Sequence, residues 1–193
     1  SDIAMIFQDA LSTLNPVLTI GYQLREPMRI HNKGMSKKEA TEKAIHLLRL
    51  VGIPESEQRI RQYPHELSGG MRQRVMIAIS LACQPRLLIA DEPTTALDVT
   101  IQAQIMDLIL ELNQQLQMGV MLITHDLAVV AETCTRAIVM YLGQVVEEAS
   151  VEDLFQHPMH PYTQGLIASV PRLYAPSKGR LHVIEGTVPF LND

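Results

Sequence analysis

The sequence predicts an α/β protein with a parallel sheet, on three observations. Two short apolar runs, Leu87–Ala90 and Val120–Thr124, have the compact, non-alternating character of strands buried in parallel sheets. Between them Ile101, Ile105, Leu108, Leu112 and Leu116 fall on one helical stripe, which makes a strand–helix–strand crossover. Both apolar runs end in polar residues, Asp91-Glu92 and His125-Asp126, at the carboxyl ends where α/β sheets gather their ligands.

In chain order, Ile3–Phe7 reads as a first short buried strand, closed by Gln8-Asp9. The next sixty residues are polar and helical. Ser36-Lys37-Lys38-Glu39 is a capping box, after which Ala40, Ala44, Leu47, Leu48 and Val51 share a face until Gly52 and Pro54 stop the run. A further helix is expected over residues 71–82, opened by Ser68-Gly69-Gly70 and carrying Arg72 and Arg74 in its first turn. Beyond Gln144 the pattern fits a strand over Val145–Glu147 and a short helix over Val151–His157. Pro158, Pro161, Pro171 and Pro176 punctuate the rest. The expected division is 1–8 as core strand, 9–80 as helical lobe, 81–145 as α/β core and 146–193 as C-terminal extension.

Composition narrows the function classes. The 193 residues are 47% apolar with a net charge of −5, so no global positive field invites nucleic acid or anionic lipid. Cys83 and Cys134 lie apart in apolar surroundings and are expected to be buried, reduced thiols. No apolar run approaches the ~18 residues of a membrane span.

Three segments carry the chemistry. Ser68-Gly69-Gly70 places bare backbone N–H groups at the positive end of a helix, a fit for phosphate. A plain tight turn with Ser68 as cap fits the same residues. Asp91-Glu92 puts two carboxylates at a strand end: one suited to Mg²⁺ through its water shell, the other to polarising an attacking water. A surface turn is the alternative reading. His125 would donate to a γ-phosphate and orient that water, or serve as a polar cap. Gln8, at the end of the first strand, is the weakest signal and on its own reads as an ordinary glutamine.

The order Gln8, helical insert, Leu67-Ser68-Gly69-Gly70-Met71, Asp91-Glu92, Ala96-Leu97-Asp98, His125 resembles that of the ATP-binding cassette (ABC) ATPases. There these segments are the Q-loop, signature, Walker B, D-loop and switch histidine. Met5–Asp9 with Leu14-Asn15-Pro16, Tyr63–Leu67, Asp98–Gln104 and His157–Thr163 look like the peptide, glutathione and nickel importer branch. The fold this implies is a partial P-loop NTPase core with a helical subdomain. The resemblance also implies ATP and Mg²⁺ as ligands, with Asp91 and Gln8 at the metal and Glu92, His125 and Gln8 in hydrolysis. Ser68, Gly69, Gly70, Met71 and Asp98 would lie at the nucleotide.

The partners it implies are transmembrane permease subunits, docked around Glu26, Pro27 and Met28, and a second ATPase subunit, identical or not. A periplasmic or extracellular solute-binding protein would act indirectly, and nucleic acid would have no part. The location implied is peripheral, on the cytoplasmic face of a bacterial plasma membrane. No G-x-x-x-x-G-K-[ST] loop occurs in these residues, so the chain is expected to be a fragment, inactive alone. A non-hydrolysing half-cassette and a non-transport soluble ABC ATPase are the competing readings; heptads or basic extensions would mark the latter, and neither occurs.

Overall fold

The computed structural model describes residues 2–9, 13–95 and 97–169. Pro171, Pro176 and Ala96, singled out above, lie outside the described residues. The chain divides into two compact units, Ser1–Ile123 and Thr124–Asp193.

The first unit is built on a parallel three-stranded sheet, β1 (Ile3–Ile6), β2 (Leu87–Asp91) and β3 (Gly119–Ile123), with β2 in the middle. Ile6 is level with Ala90, and Ala90 with Leu122. On one face Ile6, Leu88 and Ala90 are fully buried, together with Val75 and Ile77 of α4 (Gly69–Leu81) and Ile105 and Ile109 of α5 (Val99–Leu116). The α/β class and its crossover helix are therefore as expected. Strand β2 reads as a continuous apolar run, yet its burial alternates, because the opposite face of this sheet is open. There Met5 and Met121 flank Ile89 in register, 37% and 51% exposed, with Ile3 at 56%.

Among the described residues, three α-helices of four or more residues and a 3-10 turn, Pro64–Glu66, precede the signature region. Helix α1 (Ile20–His31) begins at Thr19, whose hydroxyl accepts from the Tyr22 amide, and buries Leu24 and Met28. Helix α2 (Lys37–Leu50) opens on the expected capping box: Ser36 Oγ accepts from the Glu39 amide at 3.2 Å and Glu39 returns to the Ser36 amide at 2.8 Å. It buries Ala40, Ala44 and Leu48 against α1 and α4. Gly52 turns the chain at φ +75°, where a side chain would be strained. The short α3 (Ser56–Arg59) follows, tied to α2 by the exposed Arg49–Glu57 pair.

The second unit holds an antiparallel pair not expected in full, β4 (Arg136–Tyr141) and β5 (Gln144–Ser150). Its two-residue turn places both Leu142 and Gly143 at positive φ, +49° and +76°, the type I′ hairpin arrangement. Around it run α6 (Leu127–Thr133), α7 (Val151–Gln156) and α8 (Pro161–Ser169). Pro161 opens α8 where only breaks were expected, because proline is pre-shaped for a first helical position. The thiol expectation needs correcting: Cys83 and Cys134 are free but only half-buried, each beside a helix terminus.

The Glu147 carboxylate organises the His-Pro-Met-His-Pro segment, accepting from the Met159 amide at 2.7 Å and the His160 amide at 3.0 Å. His160 Nδ1 in turn accepts from the Tyr162 amide, and the Tyr162 ring meets Tyr141 at 4.5 Å. The Thr163 hydroxyl first, and the Met159 amide next, hold Glu147 below the usual carboxylate range. A lowered folded-state pKa means the anchor stabilises above the unfolded carboxylate pKa and is lost as pH falls through the folded value. Thermal melting of wild type and Glu147→Gln should thus differ at neutral pH, the variant melting lower. The gap should close as both are taken below the carboxylate range.

Candidate functional site

The parallel register fixes the first part of the site. Strands β1 and β2 run the same way and end level, so Gln8 and Asp91-Glu92 emerge at one edge of the sheet. Gln8 Nε2 donates to Glu92 Oε2 at 2.8 Å across 84 residues of sequence. Thr95 Oγ1 donates to the same oxygen, also at 2.8 Å. Glu92 itself leaves the strand: its amide donates to the Ile123 carbonyl of β3 at 2.9 Å, and its φ is +42°. A left-handed conformation at a non-glycine residue costs on the order of 1 kcal/mol or more, and such strain collects at functional positions. Here the backbone turn aims the carboxylate sideways to Gln8 and Thr95 instead of along the strand.

Asp91 is the last residue of β2, half-buried and level with Ile123. Among the described residues no cluster of three or more His, Cys, Asp or Glu could hold a metal alone. Mg²⁺ does not demand one: it is commonly held by one or two carboxylates, waters and substrate phosphates. Asp91 at an open strand end fits that donor set.

The second part is the start of α4. Ser68 has extended backbone and caps the helix, its Oγ accepting from the Met71 amide at 3.4 Å. The hydroxyl proton stays free to donate outward. The Gly69 and Gly70 amides lie in the first helical turn, ahead of the intrahelical ladder. The two glycines differ in their need for glycine. A Cβ on Gly69 would meet Leu97 at 3.8 Å, ordinary contact, whereas one on Gly70 would sit 2.9 Å from Ile101 Cγ2. Gly70 is thus required for α4 to approach α5, whatever else it does.

The expected cationic helix entry needs revision. Arg74 turns away to donate to the Val51 carbonyl at 2.7 Å, satisfying the end of α2 beneath Gly52. It is a structural arginine.

Asp98 caps α5, accepting from the Ile101 amide at 3.0 Å, so its carboxylate already has a helix to serve. His125, exposed, lies in the second unit, just after the strand end, beside Thr124, whose Oγ1 accepts from the Asp126 amide at 3.0 Å.

Two contributors escaped the sequence. Thr95 reads as an ordinary turn threonine until its hydroxyl is seen on Glu92. Gln73 is buried inside α4, and its amide donates to the Pro93 carbonyl, joining the helix to the turn that carries Glu92. Its only signal was a polar residue at a buried position of α4.

Residues 1–95 match the family model described as ABC transporter, and residues 146–193 the model described as oligopeptide/dipeptide transporter, C-terminal region. The chain thus carries the ABC transporter domain over residues 1–95. It is 57% identical over 189 residues to the dipeptide transport ATP-binding protein DppD of Haemophilus influenzae, covering 98% of this chain and 57% of that one. The oligopeptide transport ATP-binding protein AppD of Bacillus subtilis is 56% identical, with the same shares covered. The chain therefore spans a little over half the length of the curated relatives it matches. Among solved structures, an ATP-binding cassette in a dimeric, post-hydrolysis state bound to ADP and Pi superposes with a TM-score of 0.67. The two are 33% identical, over 78% of this chain and 63% of that one. The cbiO1 protein of Clostridium perfringens, part of the ABC transporter complex cbiONQ, gives 0.69 at 28% identity, over 81% and 60%.

Steric demand on the two glycines gives a direct check. Gly69→Ala should leave the melting temperature close to wild type. Gly70→Ala should cost about 1–3 kcal/mol, the usual range for overpacking. Trimming its neighbour in Gly70→Ala/Ile101→Val should recover part of that loss in the same melting experiment.

Proposed function

We propose that this chain is the catalytic part of an ATP-hydrolysing subunit of a peptide-importing ABC transporter. The observation that carries the reading is the Gln8–Glu92–Thr95 cluster beside Asp91 at the carboxyl end of a parallel sheet. It supports hydrolysis because each group has a distinct task. Asp91, at the strand end, would hold Mg²⁺ through the metal's water shell. When bound, that ion neutralises charge on the transferring phosphate. Glu92 would take a proton from the attacking water with one carboxylate oxygen, while Gln8 and Thr95 hold the other. Two hydrogen bonds on one oxygen fix the carboxylate plane, so the remaining oxygen is presented in one direction. Gln8 would also face the metal.

His125 would donate to the γ-phosphate and orient the water. It belongs to the second unit, and its role rests on its place after β3 in the chain. Ser68, Gly69 and Gly70 with Met71 would bind phosphate through the hydroxyl and first-turn amides, where the helix dipole favours an anion. In the dimeric cassette reported above, two such chains are associated. By the same arrangement, the signature turn of one subunit would face the nucleotide of the other, with Asp98 near the contact. The second ATPase subunit would be identical or a close relative.

The family's division of labour assigns the helical lobe, residues 9–80, to a permease subunit, with Glu26 and Pro27 at the contact; Met28, expected there too, is buried inside the lobe and would act only by supporting that face. The α/β core would span 81–145 and the extension 146–193. A solute-binding protein would deliver peptide on the far side of the membrane, so this subunit would sit peripherally on the cytoplasmic face. No helix among the described residues is long and apolar enough to cross a membrane. The match over residues 146–193 supports peptide over other solutes.

Glu92→Gln in the intact transporter decides the central assignment. The amide preserves shape and both hydrogen-bond partners but cannot accept the water's proton. ATP should still bind while steady-state phosphate release falls about 10²–10⁴-fold. Turnover close to wild type would remove Glu92 from the role of base.

The same residues make a second claim about the chain as given. Residues 1–193 contain no G-x-x-x-x-G-K-[ST] loop to cradle the phosphates. Calorimetry on the purified chain should therefore register only weak Mg-ATP binding, with no Glu92-dependent phosphate release. Micromolar affinity together with such release would require another phosphate cradle in these residues.

A further inference from the structure

Gln73 occupies a place where an apolar side chain would fit with fewer demands. It is 3% exposed on α4, among Val75, Met76 and Ile77. A buried amide is unfavourable unless its polar atoms find partners. Ser80, the other buried polar side chain of α4, serves its own helix, donating to the Ile77 carbonyl at 2.7 Å. Gln73 instead leaves its helix and donates to the Pro93 carbonyl, 20 positions along the chain.

That carbonyl belongs to a stiff unit. Pro93 is buried and fixes its own φ at the second position of a turn, which the Thr95 amide closes on the Glu92 carbonyl at 3.1 Å. The Thr95 hydroxyl closes it a second time, 2.8 Å from Glu92 Oε2. Thr95 thereby holds both the backbone and the carboxylate of Glu92, so the carboxylate follows the Pro93 carbonyl. The sheet fixes Glu92 from the other side, through the Ile123 carbonyl and Gln8. Against that fixed frame, the Gln73 bond comes from the helix that opens with Ser68-Gly69-Gly70, one helical turn beyond Gly69.

We propose that Gln73 is a positioning residue for hydrolysis, making the presentation of Glu92 depend on how the signature turn of the same subunit is seated. Resting on the catalytic reading above, this makes each subunit's base answer to the nucleotide held by its partner. Seating the Gly69 and Gly70 amides on that nucleotide sets α4, and Gln73 passes its placement to the turn that orients Glu92. Water is then activated after the pair has closed and not before. A glutamine that did no more than satisfy a buried carbonyl would matter for stability and have no particular bearing on turnover.

Gln73→Met in the intact transporter separates the two roles, since methionine keeps the volume and removes the donor. The kcat for ATP should fall about 10²-fold, the scale of a ~1 Å misplacement at a catalytic centre. KM should stay unchanged, because no phosphate-binding group is touched. In a Glu92→Gln background, ATP should close the subunit pair equally well with and without Gln73→Met. Gln73→Asn, too short to reach Pro93, should show the same split and serves if the methionine variant folds poorly. Gln73→His can bring a ring N–H to the same carbonyl and should recover much of kcat. Gln73→Met/Thr95→Val should lose no more than the worse single variant, because both act through one carboxylate. Ile109→Val, in the core away from the turn, is the control for lost stability and should leave kcat unchanged. Wild-type kcat in Gln73→Met and Gln73→Asn would overturn the proposal. So would an equal loss in Ile109→Val, or failure of ATP-driven closure, either of which makes Gln73 a packing residue. Full turnover in Glu92→Gln would instead remove the base itself, so the two failures are told apart.

Discussion

The parallel pairing of three short strands is the constraint on which the candidate site depends. Because β1 and β2 run the same way in a register that sets Ile6 beside Ala90, residues 8 and 92 arrive together despite the 84 positions between them. A slip of one residue would send Gln8 to the other face of the pleat and move the alternation that buries Ile6, Leu88 and Ala90. The same hydrophobic choice that specifies the core therefore specifies the distance between an amide and a carboxylate. Strand β3 completes the arrangement from the other side, where the Ile123 carbonyl takes the Glu92 amide and stabilises the left-handed turn.

The first unit is unevenly finished. One side of its sheet is closed by α4 and α5, with fully buried aliphatic side chains in contact. The other presents Ile3, Met5, Phe7, Met121 and Ile123 to solvent. An apolar surface of this kind is a liability for a free-standing domain, because it invites association with whatever apolar surface is near. The matched relatives are nearly twice as long as this chain, so they have ample sequence with which to cover such a face.

What the sequence disclosed follows from how local each signal is. The capping box at Ser36 and Glu39, the Ser68 cap and the α5 stripe are decided within a few residues, and each appears as expected. The carboxyl-end placement of Asp91-Glu92 was legible because a parallel strand has only one ligand-facing end. Non-local choices were not legible. Arg74 looked like part of an anion site, but 23 residues back a helix ended in a bare carbonyl that it could reach. Thr95 gained meaning only when Glu92 turned toward it. The β4–β5 pair was half-hidden because none of its strand positions is fully buried, and its turn holds a left-handed leucine, a residue turn rules disfavour. Cys83 and Cys134 sit among apolar neighbours in sequence yet at helix ends in space, where solvent reaches them.

The Gln73 amide on the Pro93 carbonyl has a mechanical consequence. It is a strut inside a dry core, linking the interior of α4 to the bend that directs Glu92. Its donor sits one helical turn beyond the Ser68-Gly69-Gly70 amides. Any tilt of α4 must either break this strut or drag the bend along with it. The leading end of α4 and the bend that carries Glu92 are thus tied into a single lever, and a displacement at one end is felt at the other.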